Sequence, residues 1–559
     1  MTDGNGDFRA PLSDLAAAVR AAAATVRGRY RGNGTTASEP LAQPRLERPK
    51  REGQGDYSTN AAMLLAPALD TPPRVIAERI GSELSEVLGD RLARTEVAGP
   101  GFLNLFVSDQ WLREALRSVL TAGDDFGAGG ADPAERVLIE FVSANPTGPL
   151  VAASGRHAAY GDALARILEH YGHSVSREYY FNDAGGQIRL LGESVQARAR
   201  GEEVPEGGYQ GEYVVELAAE IPGAADVDPN ELATRAVEIM LARIKATLDR
   251  YGVSFDVFFS ERTLHEGSPN DIERALARLT EAGHVYRSEG AVWLRTTTFG
   301  DDKDRVVVRS NDTPTYLAAD IAYLQNKRDR GFERQLLPVG SDHHAYVREL
   351  KAAMAALGAD PDTLEVPLIQ FVHLVEGDEV FSMSKRRGDF VTLDELVDEI
   401  GVDATRFFML QRSHDRTLDL DLAVARQQSS ENPVYYVQYA HARIASMLGR
   451  VLDDRISAAV EGAADWAADE LHPSERNLIK KLIALPDEIA EAAARRAPHR
   501  IAAYALELAQ DFTAFYRDCK VVGARPEPIE SFRIALSAAA QRSIALSLSL
   551  LGVSAPESM

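Results

Sequence analysis

The run VLIEFVSA, residues 137–144, constrains this chain more than any other stretch. It is continuously apolar apart from Glu140 and Ser143, with no polar alternation, which is the pattern of a strand buried on both faces. A loop with Asn145, Pro146, Gly148 and Pro149 follows, and from Gly155 a helical pattern runs to about His170. HSVSREYYFND reads as a second strand, TYLAADIAYLQNK as a helix, and QLLPVGSDHH as a strand running into a loop. Strand alternating with helix predicts an α/β fold with a doubly wound parallel sheet. In that architecture ligands sit beyond the carboxyl ends of the strands. The loops after Phe141, Phe181 and Val339 are therefore where a site is expected.

The flanks differ from this centre. Residues 11–30 and 73–90 have helical spacing, and EVAGPGFLNLFVS reads as two strands broken at Gly99-Pro100-Gly101. These predict an α+β domain over residues 1–122, ending at the flexible GDDFGAGGADPAER. The central domain is expected over 123–425, with a long, mainly helical insertion at about 190–290. Residues 426–559 read as an all-α bundle.

A chain of 559 residues exceeds one core, so several domains are expected. The net charge of −23 argues against a uniformly basic nucleic-acid coat, although a local basic surface is compatible with it. The single cysteine, Cys519, allows no internal disulfide, and the opening MTDGNGDFRAPL lacks the basic-then-apolar order of a signal peptide. A cytoplasmic protein is expected. No apolar run approaches the ~20 residues that span a bilayer, and nothing in the sequence demands more than a monomer.

Four groups of residues suggest chemistry. The helix opening near Gly155 offers backbone N–H groups and a partial positive charge to phosphate, although an ordinary strand-to-helix turn would look the same. FSMSKRRGDFVTLDEL, from Phe381, places Lys385 and serines in a loop able to close over a polyphosphate; a solvated basic loop is the plainer reading. Thr313-Pro314 fits a helix cap followed by proline at the first helical position, which puts Tyr316 and Asp320 one turn apart on one face. With Glu140 at a strand end, these acids suit a cationic ligand such as a guanidinium; a local lysine or arginine partner is the plainer reading. Tyr435, Tyr436 and Tyr439, with His441 and Arg443, read either as core packing or as a platform for unpaired RNA bases. His343-His344 lacks a supporting Cys or carboxylate cluster, so no metal site is expected there.

In their order along the chain, LERPKREGQGDYSTNAA, EVAGPGFLNLFVS, IEFVSANPTGPL, REYYFNDAGGQI, DTPTYLAADIAYLQNK, SMSKRRGDFVTLDELVDEIG, DATRFFMLQRSHDRTLDLDL, NPVYYVQYAHARI and LLGVSAPESM resemble the class I arginyl-tRNA synthetases. The resemblance implies a Rossmann-like catalytic domain between an N-terminal tRNA-contacting domain and a C-terminal anticodon-binding bundle. It implies ATP-dependent ligation of L-arginine to tRNA(Arg) through an arginyl-adenylate, with Mg²⁺ accompanying ATP and no dedicated protein site for the ion. By the same resemblance Glu140, Ser143, Asn145, Tyr316 and Asp320 serve arginine. Gly148, Pro149, Ser154, Gly155, Met383 and Lys385 serve ATP, with Ser384 beside Lys385 on the mobile phosphate loop. Phe102 and Asn104 would meet the tRNA elbow, and Tyr439 and Met559 the anticodon.

The chain departs from the family at one place. Where the family carries His-x-Gly-His, residues 151–154 read Val151-Ala152-Ala153-Ser154. Losing one preorganised donor to a developing charge typically costs about 2.7–4 kcal/mol of barrier. An active enzyme therefore needs other donors: Ser154, the helix amides, and His157, three residues on along the same helix. The alternatives are a paralogue that binds tRNA without activating arginine, and an enzyme transferring an amino acid to another acceptor. The retained carboxylates, Met-Ser-Lys loop and flanking domains favour the active enzyme.

Overall fold

In the computed structural model, residues 10–31, 43–49, 51, 53–183, 185–376, 379–381, 390–462, 466 and 470–559 are described. The strand Arg136–Glu140 is the centre of a five-stranded sheet, and Val137, Leu138, Ile139 and Glu140 are all buried. The strands lie in the order Leu364–Glu365, Arg334–Leu336, Arg136–Glu140, Ser174–Phe181, Val257–Ser260, and every pairing is parallel. Numbered along the chain that order is 5-4-1-2-3, the doubly wound arrangement expected from the sequence. It reverses direction between Arg136–Glu140 and Arg334–Leu336, so the crevice beyond those two carboxyl ends is the natural ligand site.

Helix Ala152–Tyr171 crosses back over the sheet. Its turns bury Ala158, Ala159, Leu164, Ile167 and Leu168, each large aliphatic contributing roughly 1.5–3 kcal/mol. Gly161 makes the close approach possible: a Cβ there would lie 2.2 Å from Cγ of Phe141. Gly172 ends the helix at φ 113°, donating its N–H to the Leu168 and Glu169 carbonyls, and the chain enters the next strand at once.

The insertion is less uniformly helical than its spacing suggests. Helices Gly186–Arg200, Glu212–Glu220 and Pro229–Arg250 form a separate apolar cluster, but Val257–Ser260 is an edge strand of the main sheet. Val285–Ser288, Ala291–Leu294 and Arg305–Val308 then form an antiparallel sheet of their own. The helix predicted from Thr313-Pro314 begins later, at Tyr316. Its cap is Thr315, whose Oγ accepts from the Ala318 N–H, while Pro314 forms a bridge to Val308.

The N-terminal domain carries helices Pro11–Arg31, Ala61–Leu69 and Pro73–Leu88 on an antiparallel sheet ordered Leu46–Glu47, Tyr57–Thr59, Phe102–Val107, Leu92–Ala98. It docks on the C-terminal helices through Asp56, which accepts from Arg476 and Lys480 at 2.9 Å each. The C-terminal region is helical, as expected, from Pro433–Leu448 to Glu527–Leu550. Just before it, strand Leu418–Asp421 pairs with Val372–Glu376.

Candidate functional site

At the switch point lies a cavity of about 370 Å³. The first strand contributes Glu140, Val142 and Ser143, the fourth strand's loop contributes Leu337 to Gly340, and His157 comes from the helix Ala152–Tyr171. Helix Tyr316–Asp329 presents Asp320, Tyr323, Leu324 and Lys327, which recur every three or four residues and so share one face. The expected carboxylates Glu140 and Asp320 thus meet at one cavity.

Their environments differ. Glu140 accepts from Lys327 Nζ at 2.5 Å and from Ser143 Oγ at 3.1 Å, and both Glu140 and Lys327 are buried. Glu178, fully buried on the next strand, accepts from Arg330 at 2.5 and 2.8 Å and from the Tyr323 hydroxyl at 2.5 Å. The plainer sequence reading, a strand-end glutamate with a local cation, therefore describes Glu140: it lines the cavity with its charge already answered.

Two other carboxylates are held by phenols. Asp320 accepts from the Tyr346 hydroxyl, and burial, reinforced by Glu140 and Glu261, pushes its carboxyl up to about 7. Glu261 accepts from the Tyr180 hydroxyl at 2.7 Å, with His265 of its own 3₁₀ turn 3.9 Å away. Sequence reasoning missed Glu261 because it ends the unread strand Val257–Ser260; FDVFFSE, an apolar run closed by an acid, is the signal that marks it. Tyr180 and Tyr346, which line the same cavity, were also missed.

The loop after Glu140 takes an uncommon path. Val142 and Ser143 have φ of 67° and 41°, two successive non-glycine residues in the left-handed region. The turn brings Ser143 Oγ back to Glu140 and lets it accept from the Tyr180 N–H at 3.2 Å. Asn145 is directed elsewhere: it donates to Gln187 Oε1 at 3.0 Å and accepts from the Asn182 N–H at 3.4 Å.

The phosphate-binding expectation rests on the opening of helix Ala152–Tyr171. Val151 supplies no side-chain cap and does not enter the cavity; it bridges to Thr392, and the Ala152 N–H donates to the Val391 carbonyl at 2.9 Å. Ser154 is half-buried one turn before His157. Burial, with Arg156 adding to it, pushes the His157 imidazole down to about 4, so it is neutral at pH 7, and it hydrogen-bonds the Pro338 backbone. Gly148 and Pro149 face the insertion instead: Tyr213 donates to the Thr147 carbonyl at 2.8 Å, and a Cβ on Gly148 would lie 3.1 Å from the Tyr213 hydroxyl oxygen. Pro149 lines a different cavity, with Tyr213 and Phe390, and a Cβ on Gly155 would lie 2.8 Å from Leu393 Cδ1. Met383, Ser384 and Lys385 lie outside the described residues. Among the described residues no group of three His, Cys, Asp or Glu side chains is placed to hold a metal ion.

Three further expectations are divided by exposure. Tyr316 is 72 % exposed at the helix start and does not line the cavity. Phe102 is exposed, whereas Asn104, two residues on, is buried. In the bundle, Tyr435 and Tyr439 stack at 6.1 Å and 7°, and the Arg443 guanidinium lies 4.6 Å from the Tyr439 ring. Met559 shares a cavity of about 310 Å³ with Tyr439, Arg443 and Tyr516. Tyr436 instead donates to Thr513, and buried His441 bonds the Pro556 carbonyl at 2.8 Å, pinning the C-terminal tail. No helix among the described residues is long and apolar enough to cross a membrane.

Three family models match successive regions: "Arginyl tRNA synthetase N terminal domain" over residues 13–107, "tRNA synthetases class I (R), catalytic domain" over 116–445, and "DALR anticodon binding domain" over 437–559. The chain is 44% identical over 562 residues to the arginine–tRNA ligase of Moorella thermoacetica, covering 98% of each. It is 47% identical over 526 residues to that of Frankia alni, covering 92% of this chain and 94% of the relative. The solved arginyl-tRNA synthetase of Thermus thermophilus superposes with a TM-score of 0.74 at 23% identity, over 98% of this chain and 100% of that one, a likeness of fold.

Proposed function

Because the chain belongs to the class I arginyl-tRNA synthetases, we propose that it joins L-arginine to tRNA(Arg) at the expense of ATP. A carboxylate oxygen of arginine attacks the α-phosphorus of ATP; the bond to the β,γ-diphosphate breaks, giving arginyl-adenylate and pyrophosphate. A hydroxyl of the tRNA terminal ribose then attacks the arginyl carbonyl, and AMP leaves. The observation that carries the reading is Asp320, a carboxylate that lines the cavity at the switch point, accepts from the Tyr346 hydroxyl and is acted on by the nearby charge of Glu261. A guanidinium offers this acidic end of the cavity a cation and planar donors. Glu140 takes a supporting part, since Lys327 already neutralises it.

In this reading Ser143 faces the amino-acid end of the substrate, and Asn145 turns from Gln187 to join it. The helix opening at Ala152, with Ser154 and His157, serves the phosphates in place of the family's two histidines. The neutral His157 imidazole has a single N–H, which the Pro338 carbonyl holds here, so it serves an anion by turning that N–H from the carbonyl to the phosphate when ATP binds. By resemblance Met383, Ser384 and Lys385 close over the triphosphate, with Mg²⁺ bound through the phosphates. Phe102 on the N-terminal domain, and Tyr439 with Met559 on the bundle, form the tRNA-facing surfaces. Division of the chain at about residues 122 and 425, a cytoplasmic location and a monomeric state complete the proposal.

The deciding experiment is charging of transcript tRNA(Arg) with labelled arginine and ATP. Arginyl-tRNA formed at ordinary enzymatic rates supports the reading. Tight tRNA binding without charging, in protein shown to be folded, rejects it in favour of a binding paralogue that lost activity with its histidines.

A further inference from the structure

We infer that Val142 is a specificity-determining residue of this cavity, held against its backbone preference so that its side chain forms the wall around the substrate's aliphatic stem. The inference rests on the arginine reading of the site. A β-branched residue at φ 67° is a steric outlier, and here the next residue, Ser143 at φ 41°, shares the strain. Such conformations persist where the surroundings over-determine them, and they cluster at ligand sites. The surroundings here are explicit. Ser143 Oγ is fixed between Glu140 and the Tyr180 N–H, the Ser143 N–H donates to the Phe141 carbonyl at 2.9 Å, and the Ala144 carbonyl accepts from the Tyr179 hydroxyl at 2.7 Å.

Glycine would adopt this turn without strain, yet the position carries an isopropyl group that lines the cavity. The side chain is half-buried and packs on the main core along one side. It lines the same cavity as Asp320 on one helix and His157 on the helix assigned to the phosphates. A guanidinium-bearing substrate reaching from Asp320 toward the phosphates lays its methylenes along that lining. A smooth apolar contact there favours an unbranched stem of one length.

The test compares wild type, Val142→Ala and Val142→Gly in arginine-dependent charging, with thermal unfolding of each. Val142→Ala removes the wall and keeps a left-handed non-glycine residue; Val142→Gly removes both. Both variants are expected to raise the KM for arginine roughly tenfold or more with kcat little changed, because lost contact with a methylene stem is lost binding. Both are also expected to raise the kcat/KM of homoarginine relative to arginine. Val142→Gly is expected to unfold at a higher temperature than Val142→Ala, since only it relieves the strain. An unchanged arginine KM together with an unchanged homoarginine-to-arginine ratio in both variants overturns the proposal. Equal unfolding temperatures for the two variants overturn the strained-wall argument. Failure of the wild-type protein to charge arginine rejects the underlying reading, a result separate from either.

Discussion

Glu140 and Glu178 stand side by side, in register on adjacent parallel strands, and each is met by its own cation from one helix and its cap: Lys327 by Glu140, Arg330 by Glu178. Like charges so placed repel, and both carboxylates are buried. The two cations turn that repulsion into a neutral floor beneath the cavity. With the floor balanced, the acid that remains for a guest in the cavity lining is Asp320, with Glu261 near enough to act on its charge, and the cavity calls for one cation.

Removing Lys327 should expose that repulsion. Lys327→Met leaves Glu140 buried beside Glu178 without its partner, at a cost of about 3–5 kcal/mol in unfolding free energy by denaturant titration. Glu140→Gln combined with Lys327→Met should recover most of the loss, because the pair is then replaced rather than broken. A Lys327→Met protein as stable as wild type would mean that the floor does not depend on this pair.

Asp320 should make arginine recognition depend on pH. Its carboxyl is pushed up to about 7, first by burial and then by Glu140 and Glu261. Without arginine, this raised value favours the folded state fully below the ordinary 3.8 and ceases to as the pH rises through about 7. A guanidinium reverses the balance by favouring the carboxylate. The KM for arginine should therefore fall as pH rises toward 7 and level off above it, and arginine should raise the unfolding temperature more at pH 8 than at pH 6. Asp320→Asn should raise the KM by roughly 10-fold to 100-fold, the cost of a charge-assisted hydrogen bond, and flatten the profile.

What the sequence revealed followed from burial patterns, and what it concealed was long-range. The central strand was legible because Val137 to Val142 are apolar but for Glu140, with no polar alternation. Val257–Ser260 was not, because four residues between a long helix and a 3₁₀ turn carry too little periodicity to separate from the helix before them. Glu140 and Asp320 were recognisable as cavity acids, yet their different roles depend on Lys327, 187 residues from Glu140, and on Tyr346. Asn104 and Phe102 were paired by a motif and, two residues apart, share one face of the strand, but they differ in burial because Gly55 packs against Asn104 while Phe102 opens the strand. Tyr316 was placed by helical spacing from Asp320, and the helix starts so close to it that its side chain projects from the first turn into solvent.

His157 should carry part of the load left by the absent histidines. His157→Ala should slow adenylate formation by about 10²–10³-fold, the effect of one lost donor, while leaving the KM for arginine within a few-fold. Since burial and Arg156 hold the imidazole near 4, it stays neutral at every pH where the protein is assayed, and the ratio of wild-type to variant rates should be constant from about pH 6 upward. His157→Asn, which keeps an N–H donor, should restore part of the rate. Pyrophosphate exchange measured across pH separates this from a structural effect, which would alter unfolding temperature without a constant rate ratio.

Tyr439 should act on tRNA and leave the amino-acid site untouched. It is 41 % exposed, stacked on Tyr435 and with the Arg443 guanidinium over its ring, so an incoming base reaches the ring by displacing that guanidinium, while its neighbour Tyr436 is committed to Thr513. Stacking of one base on an aromatic side chain is worth about 1–3 kcal/mol. Tyr439→Ala should therefore raise the KM for tRNA(Arg) by roughly 5-fold to 150-fold, whereas Tyr436→Ala should chiefly lower the unfolding temperature. The tail makes a parallel case: Ser554 is tied to Asp403 and Gln438, and Pro556 to His441, which sets Met559 beside Tyr439. Asp403→Ala should loosen that clasp and weaken tRNA binding in a filter assay by an amount not additive with Tyr439→Ala, since both changes disturb one surface. Full additivity of the two would separate the tail from the tyrosine platform.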